Sequence, residues 1–172
     1  MNKVIKIQSY FSPCGEMLLG SYEGKLCLCD WQKGKRHHLV NKRLCEGLQA
    51  NIETGESDVI NEAINRLNEY FASKRTQFNM PLLFVGTDFQ KSVWNELLKI
   101  PFGVTWSYAE LSRRINNPKA VRAVANANGA NAISIFVPCH RVIGSNNLLT
   151  GYGGGLAAKE FLLNLEKKIV SV

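Results

Sequence analysis

Alternating and β-rich apolar stretches fill the first third of the chain. They run over Lys3–Tyr10, Met17–Tyr22 and Lys25–Trp31. Glu23-Gly24 forms a tight turn between the last two, so the pattern predicts an antiparallel meander. From Asp58 to Phe71 the apolar spacing becomes helical, with Ser57 or Asp58 as the cap. We therefore expect one amphipathic helix packed on this sheet.

A segment of weak periodicity follows. Residues 77–86 contain Pro81 and a short apolar run, which indicates a link between two domains. We place an N-terminal domain at residues 1–80 and a C-terminal domain at residues 81–172. The expected fold class is α+β, with a small sheet-plus-helix domain first and a helical domain after it.

Capping signals mark the helices of the second domain. Thr87-Asp88-Phe89-Gln90 has the spacing of a capping box and opens a helix that ends before Pro101. Ser107-Tyr108-Ala109-Glu110 opens a shorter helix in the same way. A final amphipathic helix is expected over Leu156–Lys168.

The helix expected over residues 119–128 consists mostly of small side chains. Pro118 suits the first position of this helix. Gly129 suits the position just after its last residue, where it would close the helix. With the preceding short helix it is typical of a helix-turn-helix, although a plain helical hairpin in a core would be the preferred interpretation without the small side chains of this second helix. Its alanines would let the backbone approach a narrow groove of DNA, with Arg122 projecting into the groove. A solvated surface arginine is the simpler interpretation of Arg122.

The distribution of charge favours nucleic acid as the partner. The formal net charge is +7. Residues 1–80 carry 11 basic and 9 acidic side chains, a net +2, whereas residues 81–172 carry 10 and 5, a net +5. A polyanionic partner is therefore expected on the C-terminal half.

The cysteines and the apolar runs argue against secretion and membranes. Five cysteines at irregular spacing, with no signal-peptide pattern, do not form a disulfide framework. No apolar run reaches the roughly 20 residues that span a bilayer. We expect a cytoplasmic monomer with reduced thiols and no membrane contact.

Cys139 is the candidate reactive group, as a thiolate. Ile133, Ile135 and Val137 alternate in a strand-like run that stops at Pro138, and Cys139 follows directly. A free thiol with a pKa of about 8.5 is little ionised at neutral pH unless a base or a positive charge lies close. His140 and Arg141 are the nearest candidates.

A relay through His140 is one way to activate this thiol. Adjacent residues in an extended segment point to opposite sides, so a water would have to bridge His140 and Cys139. The second ring nitrogen of the histidine needs an orienting acceptor, for which Glu166 on the final helix is a candidate. The alternative is a buried inert thiol beside an ordinary loop histidine.

Two neighbouring motifs resemble the active-site signature of O6-methylguanine-DNA methyltransferases. They are Pro138-Cys139-His140-Arg141-Val142-Ile143-Gly144 and Leu149-Thr150-Gly151-Tyr152-Gly153-Gly154-Gly155. The resemblance covers residues 87–168, including Lys159, whereas the first 80 residues match only in size and in β-then-helix order. Ala132 and Ala125-Asn126 depart from the pattern, since the family usually has proline at the first position and a glycine is common near the second.

The resemblance implies a fold and a set of roles. The fold is an RNase H-like N-terminal domain followed by a winged helix-turn-helix-like domain that carries the active site. The Ala-rich helix, with Ala120 and Ala123, would enter the minor groove, and Arg122 would take the place of the flipped base. Tyr108 would help rotate the nucleotide and contact the guanine. The remaining implied roles fall to Asn131, which stabilises the active-site turn, to the pocket residues Val142, Tyr152 and Gly153, and to the relay residues His140 and Glu166.

The implied reaction is an in-line displacement. The sulfur of Cys139 attacks the alkyl carbon, guanine leaves, and Tyr108 eases the developing charge by donating a proton. The product is a thioether, so the resemblance implies one turnover per molecule and no cofactor. Extruding the base is necessary because its reacting atom is buried in the duplex.

We do not expect a metal site. Some relatives carry a structural zinc in the N-terminal domain, and the candidate ligands here are Cys14, Cys27, Cys29, Cys45, His37 and His38. Their spacing contains no paired motif that would complete a tetrahedral site, so core thiols and exposed histidines are the preferred interpretation.

Two other functions compete with alkyl transfer. A non-catalytic protein could bind alkylated DNA and recruit repair factors, but such relatives replace the reactive cysteine, whereas Cys139 is present. A thiol hydrolase could use Cys139 and His140 on a small substrate, but it would have no use for an Ala-rich helix with Arg122.

Overall fold

A four-stranded sheet forms the base of the N-terminal half in the computed structural model, which describes residues 3–170. Its strands are β1 (Val4–Ser12), β2 (Gly15–Tyr22), β3 (Lys25–Trp31) and β4 (Asn51–Thr54), in the order β3-β2-β1-β4. The first three strands are antiparallel neighbours, which confirms the predicted meander. The fourth strand is parallel to β1 at the edge of the sheet.

Helix α1 (His37–Leu48) and strand β4 were not predicted from the sequence. The helix buries only Val40 and Leu44, one turn apart, so its apolar stripe is too narrow to stand out. The strand is four residues long and mostly exposed. Helix α2 (Asp58–Phe71) has the predicted bounds, and the Ser57 hydroxyl accepts a hydrogen bond from the Ile60 amide as its cap.

The C-terminal half is helical. Helix α3 (Asp88–Leu97) begins with a complete capping box between Thr87 and Gln90, as predicted. The strand β5 (Trp106–Ser107) leads into helix α4 (Tyr108–Arg114), where Ser107 caps the Glu110 amide. The remaining elements are α5 (Val121–Gly129), a 3-10 turn (Cys139–Arg141), β6 (Val142–Ile143), a second 3-10 turn (Ser145–Asn147) and α6 (Leu156–Val170). Strands β5 and β6 pair in parallel.

Two predictions about α5 were wrong. Pro118 lies in a turn before the helix, because the Ala120 amide closes that turn on the Asn117 carbonyl and helical geometry begins only at Val121. Gly129 is the last helical residue and not a left-handed closing residue. The end is made instead by Ala130, whose right-handed backbone places its amide on the Asn126 carbonyl.

The run from Ile133 to Val137 is a tight bend and not the predicted strand. Its start lies against β3, where the Cys29 amide donates to Ala132 and the Ser134 amide donates to Cys29. Ile135 then has a φ of 73°, which reverses the chain so that the Val137 amide reaches the Ile133 carbonyl. The alternating residues are apolar because both domains enclose the bend.

One hydrophobic core runs through both halves. At the junction the rings of Phe78 and Phe136 lie 4.5 Å apart. Arg43 of α1 donates from Nη2 to the Ala130 carbonyl at 2.7 Å and lies 5.4 Å over the ring of Trp94 on α3. The N-terminal half thereby holds the end of α5. Within residues 3–170, no helix has the length and apolar character required to cross a bilayer.

Candidate active site

Asn131 and the bend deliver Cys139 to a fixed position. The side-chain amide of Asn131 donates to the Val137 carbonyl at 2.9 Å, and its oxygen accepts the Ile133 amide at 2.9 Å. Asn131 thus ties the two ends of the bend together. Cys139 follows at the start of the 3-10 turn, with its amide on the Val137 carbonyl at 2.8 Å.

The thiol of Cys139 is buried, with 5% of the residue exposed. Burial raises its pKa above the ordinary value, although hydrogen bonding from Asn131 and the charge of Lys159 oppose the shift. Burial therefore favours the protonated form of this thiol, and the expected thiolate requires a base that removes the proton.

His140 and Glu166 form a buried pair beside this thiol. Nε2 of His140 lies 2.6 Å from Oε2 of Glu166, and the two residues are 0% and 1% exposed. Burial opposes the charge of Glu166, but His140 and Arg141 outweigh it and hold the pKa of the carboxyl well below its usual range. Burial lowers the pKa of His140.

The lowered pKa values of Glu166 and His140 together determine the tautomer of His140. A neutral imidazole beside a carboxylate carries its proton on Nε2, which donates to Glu166. Nδ1 then has a free lone pair. It is buried and has no hydrogen-bond partner within the described part of the chain, so it is available to accept a proton.

Glu166 is held by more than the histidine. Its Oε1 accepts from Nε of Arg141 at 2.7 Å, and its Oε2 accepts from the hydroxyl of Tyr70 at 2.6 Å. Arg141 also donates from Nη1 to the Ile100 carbonyl at 2.8 Å. Sequence reasoning missed Tyr70, which is one of the apolar positions that give the segment from Asp58 to Phe71 its helical spacing.

A cavity of about 910 Å³ opens on Cys139. Tyr108, Tyr152 and Gly153 line it, and the hydroxyl of Thr150 donates to that of Tyr108 at 3.2 Å. Val142 is fully buried in β6 and does not line the cavity. The N-terminal half supplies a second wall, which comprises Cys14, Gly15, Glu16, Asp30, Trp31, Lys33, Gly34, Lys35, Arg36, His37 and Val40.

Trp31, at the end of β3, supports the glycine-rich loop at residues 151–155. A Cβ built on Gly154 would lie 2.6 Å from the indole, closer than real contacts, so only glycine lets the loop rest there. The ring of Tyr152 meets the indole edge-on, with centroids 5.8 Å apart. The run of glycines was a sequence signal for such a close approach, but nothing indicated that Trp31 was its partner.

Lys159 of α6 joins the loop to the strand behind Cys139. It is fully buried, and its ammonium donates to the Val142 carbonyl at 2.6 Å and to the Thr150 carbonyl at 3.0 Å. Its positive charge also favours the ionised form of the Cys139 thiol. Sequence reasoning included Lys159 in the family resemblance without giving it a role.

Of the expected DNA-binding side chains, only that of Tyr108 lines the cavity. Arg122 and Ala123 are exposed on α5, Ala120 is partly exposed before its first turn, and Val124 packs inward. Neither Arg122 nor Ala123 lines the cavity with Cys139. Tyr108, at the start of α4, lines that cavity.

The cysteines and histidines do not assemble into a metal-binding group. All five cysteines are free. Across residues 3–170, no three side chains of His, Cys, Asp or Glu are grouped so as to hold an ion.

Comparison with known proteins agrees with this geometry. A model for the ribonuclease-like domain of 6-O-methylguanine DNA methyltransferase matches residues 5–84, and one for its DNA-binding domain matches residues 88–168. The methylated-DNA–protein-cysteine methyltransferase of Methanosarcina acetivorans is 46% identical, over 90% of this chain and 94% of its own. The constitutive methylated-DNA–protein-cysteine methyltransferase of Bacillus subtilis is 42% identical, over 91% of this chain and 92% of its own.

Solved structures extend the agreement to the whole fold. The O6-methylguanine methyltransferase of Mycobacterium tuberculosis has a TM-score of 0.80 at 39% identity, covering 95% of this chain and 93% of its own. Its complex with DNA has a TM-score of 0.80 at 40% identity, covering 96% of this chain and 94% of its own. The resemblance and the fold class predicted from the sequence are confirmed. The chain therefore belongs to the 6-O-methylguanine DNA methyltransferase family, whose activity is DNA repair by transfer of an alkyl group to a protein cysteine.

Proposed function

We propose that this chain removes the alkyl group of O6-alkylguanine in duplex DNA and bonds it to Sγ of its own Cys139. The observation that carries the proposal is the position of this thiol, on a cavity and next to the buried pair of His140 and Glu166. Cys14 lines the same cavity but belongs to the β1–β2 hairpin, where it contacts Ser12. Cys139 is therefore the cysteine supplied with a base.

The reaction begins with a proton transfer. Nδ1 of His140 accepts the thiol proton through a bridging water, while Glu166 holds the imidazolium that forms. The thiolate attacks the alkyl carbon in line, the S–C bond forms, and the bond from that carbon to O6 of guanine breaks. Tyr108 donates a proton to the leaving base, and its hydroxyl is oriented by Thr150. The product is a thioether, a stable bond, so each molecule acts once.

Base flipping brings the lesion to this cavity. The exposed face of α5, with Ala120 and Ala123, enters the minor groove, and Arg122 fills the space that the extruded guanine leaves. Tyr108, Tyr152 and Gly153 line the pocket for the base. Asn131 keeps the bend in place.

We also propose that the partner is alkylated double-stranded DNA and that the protein works as a monomer in the cytoplasm, without a cofactor. The domain boundary is proposed at residues 80 and 81. Size-exclusion chromatography with and without a damaged duplex tests the monomer, since a dimer would elute earlier in either condition.

Intact-mass spectrometry after incubation with a duplex containing O6-methylguanine tests the central proposal. We expect a gain of one methyl group per protein molecule, and none in Cys139→Ala, because that variant lacks the nucleophile. Cys14→Ala, from the same cavity, serves as the matched control and should react like the unmodified chain. Transfer to Cys139→Ala would overturn the assignment.

The stoichiometry also separates the two competing functions. A non-catalytic binder would gain no mass, and a thiol hydrolase would turn over a small substrate repeatedly without retaining it. One transfer per molecule excludes both.

The role of Arg122 is tested with two substrates. Only a duplex requires a flipped base, so Arg122→Ala should slow transfer from duplex DNA by at least tenfold, about 1.4 kcal/mol of barrier, while transfer from free O6-benzylguanine stays near the wild-type rate. Lys119→Ala removes a neighbouring exposed cation as the control. Equal slowing of Arg122→Ala on both substrates would contradict the role.

A further inference from the structure

Tyr70 reaches the active site from the N-terminal domain. It lies in the last turn of α2, is fully buried, and places its hydroxyl 2.6 Å from Oε2 of Glu166. A carboxylate can only accept, so the hydroxyl donates. The same oxygen accepts Nε2–H of His140 at 2.6 Å. Tyr70 and His140 therefore share one acceptor atom.

We propose that Tyr70 is a positioning residue of the relay, whose hydroxyl sets how strongly Glu166 holds the proton of His140 and hence the pH range in which Cys139 is activated. This inference rests on the proposed function, because it assigns His140 as the base. It makes the relay a property of both domains, whereas the family motif contains only its C-terminal part.

The physical reason is the division of one negative charge among several donors. Oε2 of Glu166 is shared by Tyr70, His140 and Nη2 of Arg141, the last at 3.2 Å. Each hydrogen bond draws electron density from the oxygen and weakens its hold on the others. Without the Tyr70 hydroxyl, Oε2 attracts the imidazole proton more strongly, which stabilises the protonated histidine and raises its pKa.

The other charged groups around His140 and Glu166 are the same with and without the Tyr70 hydroxyl. Arg141 comes from the same turn as His140, and Lys159 comes from α6, and both disfavour a positive charge on the imidazole. The thiol of Cys14, on the β1–β2 hairpin, adds to the rise in the pKa of Tyr70 that burial and Glu166 cause, and Arg141 opposes that rise. Tyr70 thus remains a protonated donor.

The ring of Tyr70 is held independently of its hydroxyl. It packs against Phe71 at 5.2 Å, Phe78 at 5.4 Å and Phe102 at 6.3 Å between ring centroids. Tyr70→Phe keeps these contacts and removes only the donor. The substitution therefore separates the hydrogen bond from the packing.

The pH profile of single-turnover alkyl transfer tests the proposal. The base form of His140 is active, so a raised pKa moves the acid limb of the rate profile to higher pH. We expect a shift of about half to one pH unit in Tyr70→Phe. Tyr10→Phe is the matched control, because it removes a hydroxyl that donates to Asn68 on the same helix at 2.7 Å and does not reach Glu166.

A purely structural role would lower the rate by the same factor at every pH and leave the acid limb in place. That result, or a shift to lower pH, would overturn the proposal. A direct titration of His140 by ¹⁵N NMR, with Tyr70→Phe placed in the Cys139→Ala background, gives a second measurement that needs no alkyl transfer. If the unmodified protein fails to transfer an alkyl group, the proposed function fails, whereas an unshifted His140 titration refutes the role of Tyr70 alone.

Discussion

The two domains contribute to the same active site, but their sequences indicate this very differently. In the C-terminal domain the reacting group and its neighbours are consecutive, in Pro138-Cys139-His140-Arg141. In the N-terminal domain the contributing side chains, Trp31, Arg43 and Tyr70, are separated along the chain and come from three different elements. A short motif thus reveals one side of the site, and only the fold reveals the other.

The difference follows from what each side does. The C-terminal residues carry the chemistry, and because one 3-10 turn supplies the thiol, the imidazole and Arg141, these three form a recognisable local motif. The N-terminal residues support those atoms: Trp31 lies under the glycine-rich loop, Arg43 binds the end of α5, and Tyr70 binds Glu166. Each of them also packs in the core or at the domain junction, where an aromatic or arginine side chain is unremarkable in sequence.

The largest effect is expected on the C-terminal side. Glu166→Gln leaves the buried Arg141 without its anion, and removing one partner of a buried pair costs about 3 kcal/mol or more. Urea unfolding at pH 7 measures this loss. Glu160→Gln, exposed on the same helix, should stay within about 0.5 kcal/mol.

The difference in stability between the unmodified protein and Glu166→Gln depends on pH in a predictable way. The pKa of Glu166 is depressed in the folded state, so its stabilisation is complete above the unfolded value of about 4.3 and is lost as the pH falls below it. The stability difference between the unmodified protein and Glu166→Gln should therefore narrow below about pH 4. A constant difference would mean that this carboxylate is not the stabilising group.

An intermediate effect is expected at the junction between the domains. Arg43→Ala removes a charged donor from the Ala130 carbonyl and a cation from the face of Trp94. We expect a loss of about 2 kcal/mol in the free energy of unfolding. Lys42→Ala removes an exposed lysine paired with Glu46 at 3.9 Å and should change little. Equal losses of unfolding free energy in Arg43→Ala and Lys42→Ala would show that α1 does not support α5.

The smallest effect is expected under the glycine-rich loop. Gly154→Ala forces a methyl group against the indole of Trp31 and should cost about 1 kcal/mol while slowing alkyl transfer. Gly151→Ala meets no atom within 4 Å and is the control. Stopped-flow transfer rates and unfolding curves report both effects, and Trp31→Phe in the Gly154→Ala background should restore part of the rate because the smaller ring leaves room.

Local signals in the sequence predicted the elements that have local causes. Ser57 and the Thr87–Gln90 box placed the starts of α2 and α3 because side-chain capping depends on residues a few positions apart. The need of His140 for an orienting acceptor, together with the family resemblance, predicted its contact with Glu166. Helix α1 was missed because most of its surface is polar and the fold buries only one narrow stripe.

The failures have a common physical origin in tertiary contacts. The bend at residues 133–137 has strand-like alternation, because two domains enclose it from both sides and both faces must be apolar. Periodicity reports that a side chain is buried, but not which atom it meets. Tyr70 therefore satisfied the apolar pattern of α2 while its hydroxyl served Glu166.

The burial of Cys139 also bears on how long an unused molecule survives. Oxidants and small electrophiles react with thiolates far faster than with thiols, and a group with 5% exposure and a raised pKa gives them little of either the charge or the access they need. For a protein that acts once, accidental modification is as final as repair. A buried thiol with a raised pKa is thus shielded from such modification before the protein meets a lesion.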